Sequence, residues 1–445
     1  MKQFLFINIS VLLILSLVFK TTSIVAVGLI GVFLVVSLVP KGNDKLFYCL
    51  SLIFIISVIL ILTAYYGYMY QFGIPYFGGG SDDLAFEHYS KYVIANHYMM
   101  PEQIILDPQF TYSNSIGFIW ILSWVMRLSN VFGEYHTIAF RVLNIYFLLA
   151  LSILVFRYFE RKYQFTSKQN LIVLYVIALF PNSQYISIHV FRDTLISLIL
   201  FSVLFVWDNY FDAKSKGGFS LIKAIALTLI LGYISYWLRN ESMVFLIAII
   251  LTCVVLKDNI LSKKNSILFI FLVFLAFILI NYYNIWDLIL VFNEKYFIHK
   301  MELSDGLSNI VFSMSLFPFG ILARLGYGLI SPIPITILKI GGIFENVTVF
   351  FQVIIGFGVI GQIYMLPYLF KNIKRVDKIF ISFATTLVGI VITTFTFRHF
   401  IMLYPFMVIL MFREFFETEK GQRINYFVGV TGVLIFVAGF YLLIK

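Results

Sequence analysis

Apolar stretches long enough to enter a bilayer recur along most of this chain, and no other feature constrains its fold as strongly. A crossing helix needs about 20 apolar residues, fewer when interfacial aromatics rescue its ends. Such stretches fall at 4–19, 23–39, 46–69, 138–156, 170–188, 194–211, 220–237, 243–256, 265–284, 346–369, 379–396, 400–412 and 425–444. Over 445 residues, 61% are hydrophobic and 12% charged, against about 25% charged in an ordinary globular chain. Mean hydropathy is +0.95. These figures exclude soluble, fibrous, disulfide-stapled and disordered classes. The expectation is an all-α polytopic membrane protein with about 13 transmembrane helices.

The first run follows Met1-Lys2-Gln3 in the manner of a signal peptide. No small-residue cleavage site follows it and a second run begins within a few residues, so it reads as a retained span. Cys49 and Cys253 both sit inside apolar runs. They read as small buried hydrophobes, not as a disulfide or a metal site.

The net charge is +10, yet the basic residues form short clumps between apolar runs and not one patch. That pattern orients a membrane protein and does not point to nucleic acid. The clumps are Lys41/Lys45, Arg157/Arg161/Lys162/Lys168, Lys214/Lys216/Lys223, Lys257/Lys263/Lys264, Lys371/Lys374/Arg375/Lys378 and Arg413/Lys420/Arg423. The positive-inside rule puts them all in the cytoplasm. Two crossings then separate Lys45 from Arg157, so 46–69 goes out and 138–156 returns. Segment 115–132 (SIGFIWILSWVMRLSNVF) is apolar enough to span, but this parity makes it re-entrant or parallel to the outer interface. The alternative is that one clump breaks the rule. The layout is a single transmembrane domain, 1–445, with two long outer connections near 70–137 and 285–345 that carry juxtamembrane helices. No internal repeat or linker is visible.

The remaining charges fall at the outer ends of the runs: Asp82-Asp83, Arg192-Asp193, Arg239-Asn240-Glu241, Arg324 and Arg398-His399. A charge at membrane depth costs about 2.5–3.5 kcal/mol on insertion scales, so such residues face one another or a polar cavity. A shared outward-facing site accounts for several at once. Any single arginine is equally well explained as snorkelling to headgroups.

The first outer loop reads Tyr76-Phe77-Gly78-Gly79-Gly80-Ser81-Asp82-Asp83 and continues LAFEHYSKYVIANHY. Three glycines open backbone angles closed to other residues, and Ser81 is a good helix N-cap. Asp82 and Asp83 fit the first turn of a helix on dipole grounds alone. That helix would put Leu84, His88 and Tyr92 on one side and lie amphipathically at the outer surface. The functional reading makes one of the two carboxylates a general base for a sugar hydroxyl. The arginines suit a phosphate, which a guanidinium holds with two donors at once. Together they describe a sugar leaving a lipid phosphate whose charge arginine stabilises. The histidines lack metal-ligand spacing, so no metal site is expected, and nothing supports a divalent cation or other cofactor.

Gly80-Ser81-Asp82-Asp83, followed by Tyr89 to Tyr92, resembles the first outer loop of the GT-C superfamily of membrane glycosyltransferases. Those enzymes carry Asp-Asp or Asp-Glu at the start of a juxtamembrane helix. The resemblance continues through Ile119-Trp120-Ile121-Leu122, Phe132-Gly133-Glu134 and Ala139-Phe140-Arg141-Val142-Leu143-Asn144. Pro181 to Asp193 is similar to the next outer loop of bacterial members. Arg324-Leu325-Gly326-Tyr327-Gly328 with Ser331-Pro332-Ile333-Pro334 is similar to bacterial surface-polysaccharide enzymes. It covers mainly 70–200. Two departures stand out: two apolar runs precede the span that leads into the acidic loop, and no large outer soluble domain exists.

The resemblance implies an inverting glycosyltransferase with Asp82 or Asp83 as base and a polyprenyl-phosphate sugar as donor. Arg192, Asp193, Arg239, Glu241, Arg324, Arg398 and His399 are the expected donor-phosphate and substrate residues. The acceptor would be a glycan, lipid or protein on the outer face of a bacterial plasma membrane, in cell-surface polysaccharide or glycoconjugate synthesis. One rival is an O-antigen- or capsule-type polymerase or ligase, moving a whole glycan from a polyprenyl pyrophosphate with arginines and His399. Another is a lipid-linked glycan flippase, with Glu134, Asp193 and Glu241 as a relay, although no two related halves appear. The connection 285–345 is expected to form the acceptor side or a lid, with Gly326 and Gly328 letting the backbone bend around Arg324 and Ser331 to Pro334 stiffening its return.

Overall fold

The computed structural model describes residues 1–40, 42–80, 82–110, 115–212, 220–256, 307–314, 319–331, 337, 340–393 and 397–444. The run expected at 265–284 and most of the 285–345 connection lie outside them. Among the described residues every regular element is helical and no strand occurs. Six helices are long and apolar enough to cross a membrane: α3 (Asp44–Phe72), α7 (Thr137–Lys162), α10 (Asp193–Phe211), α11 (Leu221–Leu238), α15 (Val347–Lys371) and α18 (Lys420–Ile444). The run 170–188 is not one straight helix. It breaks into α8 (Ser167–Leu179) and α9 (Pro181–Ser187), bent by 47°, because Pro181 removes a backbone donor and restricts the residue before it. Together this pair makes up to seven spans.

Other expected runs form shorter helices: α1 (Lys2–Val18), α2 (Ser23–Leu38), α12 (Asn240–Val255), α16 (Lys378–Thr393) and α17 (Tyr404–Glu417). A 16-residue helix reaches about 24 Å, short of a hydrocarbon core of about 30 Å. Helix length therefore supports a multi-helix membrane protein and leaves the figure of about 13 spans unestablished.

The chain groups into two compact units, each drawn from three stretches of chain. The first comprises Met1–Phe205, Ile225–Val244 and Thr336–Ile355. Helix α7 is its core, buried along nearly its whole length. Helix α2 packs close against α7 because Gly31 has no side chain: a Cβ there would fall 2.1 Å from the Tyr146 ring. Tyr146 finds its hydrogen bond inside the unit, donating to Asn8 Oδ1 at 3.0 Å.

The two ends of this unit differ in character. At one, the Met1 amine meets Asp44 at 3.1 Å, and Arg157 donates to the Leu38 carbonyl at 3.1 Å. Lys45, beside Asp44, and Arg157 thus share an end. At the other, Thr21 and Ser23 in the α1–α2 turn donate to the Glu134 carbonyl at 2.6 and 2.8 Å. Thr22 caps the Phe132 carbonyl beside them.

The second unit comprises Val206–Ala224, Phe245–Ile335 and Gly356–Lys445. Among its described residues, Lys371, Arg375, Lys378 and Arg413 collect at one end. Lys378 pairs with Asp208 at 3.0 Å, both fully shielded, and Arg375 pairs with Glu417 at 2.6 Å. Lys371 reaches Glu414 at 3.7 Å, and Arg413 binds Asp377 and Asn372.

Candidate functional site

The acidic loop is built by its glycines. Gly78, Gly79 and Gly80 all take positive φ, at 55°, 81° and 106°, which only glycine adopts freely. At Gly80 a Cβ would also lie 2.8 Å from the Leu84 side chain. The resulting turn folds the end of α3 back over the start of α4 (Asp82–Ala95). It aims the Phe77 N–H at Asp83 Oδ2, 2.9 Å away, while the Leu84 N–H donates to Oδ1 at 3.1 Å. Ser81, the expected cap, lies outside the described residues.

The two aspartates separate sharply. Asp82 is exposed, whereas Asp83 is 0% exposed. Asp83 faces the guanidinium of Arg141, itself 0% exposed, at 3.8 Å. Arg141 also donates to the Pro75 carbonyl. Burial pushes the Asp83 carboxyl up to about 6, against the opposing pull of the Phe77 amide and Arg141. One helical turn on, Glu87 is buried as well and accepts from Tyr76 Oη at 2.7 Å and Tyr135 Oη at 2.9 Å. Burial, then Glu87, pushes the Tyr135 phenol far above its ordinary value, so it remains a donor.

On the side of helix α4 that carries Leu84, His88 and Tyr92, Leu84 and Tyr92 are half-buried. The buried face of the helix is Asp83, Glu87, Ser90 and Val93, and His88 is exposed. A polar stripe can be buried because each acid finds donors there, which is what burying charge demands. Nε and Nη1 of Arg141 are buried and meet no hydrogen-bond partner among the described residues. Arg141 and Glu87 are the two residues that sequence reading missed as site members. The available signals were the i, i+4 spacing of Asp83 and Glu87 and an arginine inside a run that otherwise crosses the membrane.

Behind Phe77 lies the segment that follows α9. The Phe77 ring packs edge-on against His189 at 5.4 Å and Phe191 at 5.6 Å. Asn144, one turn along α7 from Arg141, donates to the carbonyls of His189 and Phe191 at 3.0 and 3.3 Å. His189 is fully buried, not interfacial. Its Nδ1–H donates to the Tyr185 carbonyl at 2.6 Å, leaving Nε2 to accept from Tyr68 Oη at 3.1 Å. His136 caps α7, its Nδ1 accepting from the Ile138 N–H at 3.3 Å. Burial, reinforced by Arg141, lowers it to about 4. The ring is thus neutral at pH 7, with its proton on Nε2 toward Tyr65 Oη.

The structure brings Arg192, Asp193, Arg239 and Glu241 together. Arg192 donates to the Leu238 carbonyl at 2.7 Å, which ties the start of α10 to the end of α11. Arg239, 3% exposed, lies 3.9 Å from Asp193 and 3.5 Å from Glu241. Two cations and two anions make a balanced cluster, so these arginines face carboxylates as well as any ligand. The link to Asp83 runs through Phe77 and Phe191, which immediately precedes Arg192.

Arg324, Arg398 and His399 belong to the second unit. Arg324 sits on α14 (Ile321–Ile330), following the short α13 (Leu307–Ser313). It is 3% exposed, stacks 5.4 Å from the Phe312 ring and donates to the Phe312 carbonyl at 3.2 Å. Gly326 and Gly328 lie inside this helix and do not bend the backbone as expected. Ser331 ends it in an extended conformation, and Pro332 to Pro334 lie outside the described residues. Arg398 and buried His399 lie on a short 3-10 turn, Phe397–Met402, ahead of α17. Among the described residues no three His, Cys, Asp or Glu side chains cluster as metal ligands would. Compared with protein-family models, with curated proteins and with solved structures, the chain matches none.

Proposed function

We propose that this chain is a membrane glycosyltransferase that moves a sugar from a polyprenyl-phosphate donor to an acceptor on the outer face. The observation that carries the reading is the division of labour between the adjacent aspartates. Asp83 is locked by two backbone amides and Arg141, and this holds the first turn of α4 in place. Asp82 is thereby presented to solvent at a helix N-terminus, beside the glycine turn. A positioned, accessible carboxylate is what a general base needs.

In the proposed step the acceptor hydroxyl oxygen attacks the anomeric carbon and its proton passes to Asp82. The bond from that carbon to the phosphate oxygen breaks, and the phosphate keeps the electron pair. Arg192 and Arg239, in the same unit, would stabilise the departing anion. Asp193 and Glu241 hold those two side chains in the meantime.

Asp82→Asn and Asp83→Asn separate base from anchor. Loss of a general base removes about 10²–10⁴-fold in rate, so Asp82→Asn should lose transfer while its thermal melting stays at the wild-type value. Asp83→Asn should lose activity with a melting temperature that departs from wild type and shifts relative to it between about pH 4 and about 6. Equal transfer by Asp82→Asn and wild type, in membranes supplied with lipid-linked donor, removes Asp82 from the chemistry.

A further inference from the structure

A cavity of about 370 Å³ opens in the second unit among α15, α17 and α18, and none of the candidate site residues lines it. Its walls are rings. Tyr364 of α15 stacks on Phe427 of α18 at 5.0 Å, and Tyr368 meets Phe415 of α17 edge-on at 5.2 Å. Phe412 completes the floor. Tyr364 also shares a hydrogen bond with Thr431 at 2.9 Å, so the groove is formed without an occupant.

The mouth carries two cations. Lys420 is exposed, and Arg423 is half-buried over the Phe415 ring at 4.8 Å, with its Nε spent on the Thr418 carbonyl. The neighbouring acids Glu414 and Glu417 already face Arg375 and Lys371. Exposed Glu419 sets one negative charge against the two cations. The mouth is thus net positive, and it lies among the basic clumps that face the cytoplasm on the positive-inside reading.

An apolar slot with a cationic lip fits one kind of occupant. A peptide would leave its backbone groups unpaired against these walls. A neutral lipid would leave the lip unused. We infer that the groove holds one acyl chain of an anionic phospholipid from the leaflet on the basic side, with its headgroup phosphate between Lys420 and Arg423. The outward flank of α18, where Val428, Val433 and Phe436 are exposed, already offers the bilayer an apolar face beside it.

Native mass spectrometry of the delipidated full chain tests this with phosphatidylglycerol and phosphatidylcholine of identical chains. A basic residue near a lipid surface changes affinity by about fivefold. Wild type should therefore retain phosphatidylglycerol at least about fivefold better than phosphatidylcholine. Lys420→Glu should erase that preference at unchanged melting temperature. Ile424→Trp, at the exposed lip, should block both lipids. Equal retention of the two lipids by wild type, or an undiminished preference in Lys420→Glu, overturns the inference. So does displacement by glycerol phosphate, which lacks a chain, or one-for-one displacement by a polyprenyl phosphate, which would reassign the groove to the donor.

Discussion

At pH 7 a buried carboxylate must keep either a proton or a cation, and Asp83 is arranged to do some of each. Arg141 and two amides favour its anion, yet burial leaves the group protonated up to about 6, against about 3.9 in an unfolded chain. Between those values the folded protein binds more protons than the unfolded one. Stability conferred through Asp83 therefore falls as pH rises from about 4 to about 6 and is level above that. The full swing is about 3 kcal/mol. Melting curves should show wild type losing ground to Asp83→Asn across that window; a constant difference would mean that Asp83 does not titrate there. Glu87 depends on neutral donors instead. Tyr76→Phe or Tyr135→Phe removes one hydrogen bond to a buried carboxyl group and leaves it short of a donor, at a cost of about 1–3 kcal/mol. The two substitutions should each lower stability by that order, a loss that denaturant titration would read directly.

Helix α4 shows where periodicity is a guide and where it misleads. Three glycines before two acids gave the turn and the helix start, because those signals are local. The buried face was not legible: hydrophobic periodicity looks for an apolar stripe, and here Asp83, Glu87 and Ser90 form it. Their partners Tyr135 and Arg141 come from about fifty residues away, beyond any local pattern. Helix α6 (Ile116–Phe132) is the converse case. It looks like a span, and the expectation drawn from the basic clumps is that it stays on one side. At its start, a Cβ on Gly117 would fall 2.3 Å from the Trp237 backbone near the C-terminal end of α11. At its end, Thr21 to Ser23 bind the Phe132 and Glu134 carbonyls. Along its length, Trp120 and Arg127 donate to the Met99 and Tyr98 carbonyls at 2.8 and 3.0 Å. These contacts predict that His97→Cys and Glu134→Cys, both at exposed positions, react with an impermeant thiol reagent from the same face of sealed vesicles. The native Cys49 and Cys253 are buried and give little background. Labelling from opposite faces would mean that α6 crosses.

At the scale of the molecule, membrane character was plain from composition, because burial in lipid asks only for apolar length. The gathering of Lys371, Arg375, Lys378 and Arg413 at one end of the second unit is what a sidedness rule leads one to expect. Span number was less legible, since runs of 14 to 17 residues form helices too short to be counted by length alone. Least legible was the pairing inside the candidate site. Sequence assigned Arg192, Asp193, Arg239 and Glu241 to one shared site, but only the fold shows which charges pair within it. Whether that cluster and Asp82 act on a lipid-linked sugar is decided by following the donor. Purified full chain in liposomes, given a panel of polyprenyl-phosphate hexoses and scored for free polyprenyl phosphate, should turn over at least one donor. The Asp82→Asn protein, equally folded, should fall to background with that donor. Release at the wild-type rate by Asp82→Asn, or no release from any donor, would contradict the account.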